Sequence, residues 1–121
     1  MLIKDFYKVV EVVIDKLNIV ATINLNTNHE VYKGHFPNQP IVPGVIQLQI
    51  IKEILENHIE KKLLMSDLIQ VKYLIPIVPG NYPQILISIS QKNIDEKSIR
   101  IDASIGIDDI VFTKAKLAFK F

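Results

Sequence analysis

At 121 residues the chain is long enough for one domain with a hydrophobic core and too short for two of ordinary size. Hydrophobic residues at 49% and charged residues at 22% exclude intrinsic disorder, and 14 Lys plus Arg against 13 Asp plus Glu leave only +1, too weak a field for a nucleic-acid backbone. The absence of Cys excludes a disulfide framework, a thiolate nucleophile and Cys-based metal sites. The first residues, Met1-Leu2-Ile3-Lys4-Asp5, lack the features of a secretory signal, and no apolar run reaches the roughly 20 residues that cross a bilayer. A soluble, cytoplasmic protein is expected, with no nucleic-acid partner and no membrane span.

No repeat, low-complexity tract or linker divides the chain, so residues 1–121 are read as a single domain. Phe6 to Ile14 and Ile19 to Leu25 are rich in β-branched residues, and Ile19, Ala21, Ile23 and Leu25 share one face. Two strands are predicted there. Val45 to Lys62 instead carries Val45, Leu48, Ile51, Leu55 and Ile59 at helical intervals, followed by Lys61 and Lys62 where a helix C-terminus favours cations. The period then returns to two. Ile69, Val71, Tyr73, Ile75 and Ile77 are expected on one face, then Ile85, Ile87 and Ile89, then Ile99 to Ile107, then Val111 to Phe121. Short connections at Pro79-Gly80-Asn81, Asn93 to Lys97 and Asp108-Asp109 favour antiparallel pairing. The order ββαββββ predicts an α+β fold in which an antiparallel sheet wraps one helix.

Gln49, Lys52, Glu53 and Glu56 form one polar stripe on that helix, expected to meet something other than the core. Glu53 is read as part of a solvated face. Lys114, Lys116 and Lys120 alternate on the outer face of the last strand, expected as solubilising charge that also guards a sheet edge. They, with Lys33 and Lys72, are weighed as a landing site for an acidic carrier protein. His29 and His58 have no second ligand at metal spacing, so no metal is assigned.

The most irregular run is Gly34-His35-Phe36-Pro37-Asn38-Gln39-Pro40-Ile41-Val42-Pro43-Gly44-Val45. Pro37, Pro40 and Pro43 hold it extended, and Pro43-Gly44 abuts the helix start, where free N–H groups and the positive end of the dipole can face an acceptor. An imidazole is thereby delivered beside an oxyanion-type site. That arrangement suits polarising a carbonyl while a base removes an α-proton.

The pattern His-Phe-Pro-x-x-Pro-x-x-Pro-Gly-Val resembles the (3R)-hydroxyacyl-acyl carrier protein dehydratases of the hotdog fold. A second run, Lys72-Tyr73-Leu74-Ile75-Pro76-Ile77-Val78-Pro79-Gly80, is similar to the second signature of that family. The resemblance implies His35 as the base for the C2 proton and the Gly44 N–H on the thioester carbonyl, with Phe36, Pro43 and Val45 beside the substrate. It also implies an acidic helix residue fourteen positions after the histidine. This sequence has Gln49 there.

An amide hydrogen-bonds but does not deliver a proton as a carboxylic acid does, and losing general acid catalysis typically costs about 10² to 10⁴ in rate. Four readings follow. Gln49 orients a water or the substrate hydroxyl in a dehydratase; the chain pairs with another hotdog chain that keeps the acid; the reaction is thioester hydrolysis; or the chain binds an acyl thioester without turning it over. The implied partners are acyl carrier protein or an acyl-coenzyme A thioester and a second subunit, either a homodimer or higher homo-oligomer or a hetero-oligomer with another hotdog chain. No dissociable cofactor is called for, because proton transfer and water loss need neither redox chemistry nor a metal.

Overall fold

In the computed structural model, residues 5–34 and 40–121 are described. The β-branched segments form six strands, β1 (Tyr7–Asp15), β2 (Asn18–Leu25), β3 (Leu64–Tyr73), β4 (Gln84–Ile94), β5 (Ser98–Ile107) and β6 (Ile110–Lys120), with helices α1 (Val31–Gly34) and α2 (Gly44–Ile59) between β2 and β3. All pairs are antiparallel, in the sheet order β1-β2-β4-β5-β6-β3. One face of β2, β4, β5 and β6 supplies Ile19, Ile23, Ile87, Ile105, Leu117 and Phe119, which pack with Ile50, Ile51 and Leu55 of α2 into one core. Each such side chain contributes roughly 1.5–3 kcal/mol on burial. The α+β order expected from the periodicity is the observed one, apart from the four-residue α1.

Three local expectations change. Helix α2 ends at Ile59 rather than running to Lys62, because Glu60 takes the left-handed conformation (φ 57°, ψ 40°) and closes the helix by donating its N–H to the Glu56 carbonyl at 2.8 Å. Lys61 then lies beyond the helix, its Nζ 4.4 Å from the centre of the Phe121 ring. Strand β3 starts earlier and stops at Tyr73, before Pro76 and Pro79. Its register slips between Met65 and Asp67 and again between Leu68 and Gln70, so the simple alternation expected from Ile69 to Ile77 breaks down. Ile69, Tyr73 and Ile75 are exposed, and only Ile77 of that series is fully buried.

The third change concerns the edges. β6 is flanked by β5 and β3, so Lys114, Lys116 and Lys120 lie on an interior strand and guard no edge. The edges are β1 and β3, which pair on one side only. Both are apolar and exposed, with Val10, Val12, Val13, Leu64 and Leu68 open to solvent. Among the described residues no helix is long and apolar enough to cross a membrane.

Candidate active site

Helix α2 opens without a side-chain cap. Pro43 occupies the N-cap in extended conformation (φ −60°, ψ 145°), and its carbonyl accepts the first bonds, from Ile46 and Gln47 N–H at 3.1 Å each. The N–H groups of Gly44 and Val45 take no hydrogen bond among the described residues. They stand at the positive end of the helix dipole, the place where a carbonyl oxygen or an anion is best received.

Two fastenings hold this mouth. Val42 N–H donates to the Ile77 carbonyl at 2.9 Å, sewing the proline-rich approach to the Pro76–Pro79 segment. Gln47 is buried and bridges: its Nε2 donates to the Val42 carbonyl at 3.1 Å, and its Oε1 accepts from Thr113 of β6 at 2.5 Å. The two motifs, joined at Val42 and Ile77, thirty-five residues apart in sequence, thus meet. Gln47 was not singled out from the sequence, where a single glutamine between Ile46 and Leu48 carries no pattern.

Gly44 is required by a close approach. A Cβ there would lie 2.7 Å from both Cζ and the hydroxyl of Tyr73, whose ring closes over the helix start. Partial burial raises the Tyr73 hydroxyl above its ordinary range. Pro43 is half-buried beside it, whereas Val45 is 76% exposed and points away from the core. His35 and Phe36 lie outside the described residues. The structure therefore brings together Pro43, Gly44 and Gln47 with Tyr73.

Gln49 is half-buried one turn along α2, and its Nε2 donates to Glu53 Oε2 at 2.9 Å. Glu53 itself is buried, at 8% exposure, which overturns its reading as a solvated side chain. Its other oxygen accepts from the Tyr7 hydroxyl of β1 at 2.8 Å. Burial first, and then the bond to and negative charge of Glu53, push the Tyr7 hydroxyl far above the ordinary tyrosine range. The polar stripe thus meets the first strand. Further along the stripe, Glu56 Oε2 accepts from Leu63 N–H at 2.8 Å, tying the chain after the helix back to it.

His29 Nδ1 accepts from Val31 N–H at 3.1 Å at the start of α1, and its ring lies 5.2 Å from that of Phe6. His58 lines a shallow groove with Val9, Val12, Ile14, Ile54 and Asn57.

A six-stranded antiparallel sheet packed over one long helix, with a Pro-Gly helix start beside a polar helix face, is the hotdog architecture. The chain belongs to the ApeI-like family, described as ApeI dehydratase, which matches residues 11–106. It is 26% identical over 120 residues to the 3-hydroxyacyl-[acyl-carrier-protein] dehydratase FabZ of Protochlamydia amoebophila, covering 94% of this chain and 77% of that protein. Against FabZ of Wolinella succinogenes it is 30% identical over 77 residues, 53% of this chain, and there it spans about half of the relative's length, 51%. Among solved structures, the dehydratase heterocomplex ApeI:P from Xenorhabdus doucetiae superposes with a TM-score of 0.68 at 18% identity, covering 88% of this chain and 90% of that one.

Proposed function

We propose that the protein is a dehydratase that converts a (3R)-3-hydroxyacyl thioester, carried by acyl carrier protein or coenzyme A, into the trans-2-enoyl thioester and water. The observation that carries this reading is the pair of N–H groups at Gly44 and Val45, without a hydrogen-bond partner among the described residues and held at the mouth of α2 by the Val42–Ile77 and Gln47 fastenings. A thioester carbonyl received there gains charge as C2 loses its proton, which is when fixed donors stabilise it most.

His35 is the base of this reading. It takes the C2 proton, the electrons of that bond form the C2–C3 double bond, and the C3–O bond breaks. Gln49 binds the 3-hydroxyl but is no proton source, so the imidazolium formed at His35 returns its proton to the departing oxygen, and water leaves. Membership of a dehydratase family and the likeness to FabZ support the reaction class. Turnover of a 3-hydroxyacyl-acyl carrier protein by the purified chain, beside His35→Ala and Gln49→Glu, tests it. Wild-type activity lost by about 10²-fold or more in His35→Ala is expected; equal activity in both sinks the reading.

A second reading is favoured by one observation, that the solved ApeI neighbour is a heterocomplex. In it, this chain pairs with another hotdog chain that contributes a carboxylate, and the exposed apolar edge strands are where the partner lies. Inactivity alone, with activity regained on mixing with an acid-bearing hotdog chain, would establish this in place of the self-sufficient enzyme.

A further inference from the structure

Glu53 is the one buried carboxylate among the described residues. Sequestering an ionised group costs several kcal/mol unless it is paired and hydrogen-bonded, and here two donors from different elements meet it, one on each oxygen. An ionised carboxylate only accepts. The nitrogen of the Gln49 amide faces Glu53 Oε2 at 2.9 Å, the orientation that an accepting carboxylate demands. Left over, among the described residues, are the Gln49 carbonyl oxygen and one N–H.

We infer that Glu53 is a positioning residue acting through Gln49: clamped by the Tyr7 hydroxyl, it holds the Gln49 amide with nitrogen inward, so that Gln49 presents its carbonyl oxygen as a fixed acceptor for the O–H of the substrate's 3-hydroxyl. This rests on the reading of Gln49 as a site residue. An amide free to rotate would present donor and acceptor in turn. A fixed one selects a single orientation of the hydroxyl, and misplacement of a reacting group by about 1 Å can cost 10²-fold in rate. Tyr7 makes the arrangement depend on β1 as well as on α2.

Two measurements on the full chain test the inference. In the first, the side-chain amide of Gln49 is followed by nitrogen-15 NMR, its signal identified by its loss in Gln49→Ala. Glu53→Gln, and independently the milder Tyr7→Phe, are expected to shift that signal and speed its hydrogen exchange; an unchanged signal in both variants overturns the proposal. This arm does not require the protein to be active. The second is a double-mutant cycle in turnover of a 3-hydroxyacyl thioester. Residues acting as a unit are non-additive, so Glu53→Gln is expected to lower kcat about 10-fold or more in the wild-type background and less than about 2-fold in Gln49→Ala. Equal losses in both backgrounds would show Glu53 acting by itself and overturn the coupling. Hydrolysis of a saturated acyl thioester that falls equally in Glu53→Gln would place the acceptor on a water and overturn the assignment to the 3-hydroxyl. Activity surviving His35→Ala would instead break the dehydratase reading, leaving the NMR result to decide on Glu53.

Discussion

Gly44 shows how one missing side chain can matter for the site more than for the fold. The atoms a Cβ would strike are the far end of the half-exposed Tyr73 ring, which can swing outward into solvent. Gly44→Ala is therefore expected to shift the urea midpoint little while lowering kcat/KM severalfold by moving Tyr73 off the helix mouth. Comparison with Tyr73→Ala separates the two effects. Tyr32 makes the opposite case. Its hydroxyl is buried, without a hydrogen-bond partner among the described residues, and is pushed up by burial to about 12. Deleting it in Tyr32→Phe is expected to stabilise the protein by about 1 kcal/mol, since an unsatisfied buried polar group costs about that or more. The pH dependence has a definite sign. The folded state keeps its proton above the ordinary value of 10.0, where the unfolded chain releases one, so a further loss of stability, absent below pH 10, adds to that cost and grows as pH rises from 10 through 12. Urea unfolding at pH 8 and pH 11 should show a smaller fall in stability for Tyr32→Phe than for wild type.

At the scale of elements, the β5–β6 hairpin brings two backbones into close approach. A Cβ on Gly106 would strike the Ile110 carbonyl oxygen, which belongs to paired backbone and has no room to yield. Gly106→Ala is expected to cost about 1–3 kcal/mol, with Gly80→Ala, which opens onto empty space, near neutral in the same thermal melts. Strand β3 shows the limit of reading a period. Its residues are as apolar as those of β4, though fewer are β-branched, yet two register slips turn its faces and leave Leu68 and Ile69 both exposed. Nothing in the run from Leu64 to Tyr73 marks where the slips fall, because they are set by pairing with β6 about fifty residues later.

Across the described residues, exposed large apolar side chains concentrate on the two edge strands, β1 and β3, while the interior strands bury most of theirs. Apolar, unpaired edges invite another strand. The purified protein is expected to have at least twice the mass of one chain in light scattering, and a charge on the β3 edge, Leu68→Lys, to shift it toward the single chain. A monomeric wild type would count against both the homodimer and the need for β3 as an interface.

Much of this was legible in the residues themselves. The contrast of period two with period 3.6 placed six strands and the long helix, and the Pro-Gly step marked the start of α2, since proline stiffens the approach and glycine alone admits the Tyr73 ring. The His-Phe-Pro and Pro-Gly motifs pointed to the family. These are local properties, carried by neighbours in the chain. Three matters were decided only by tertiary structure: that β6 lies inside the sheet and β3 at its edge, that Gln47 joins the two motifs, and that Glu53 is a buried partner of Gln49 rather than a solvated charge. Each depends on a residue far away in sequence. Glu53 reads as surface on its own helix, and it is Tyr7, 46 residues earlier, whose strand covers it and supplies the hydrogen bond that makes its burial tolerable.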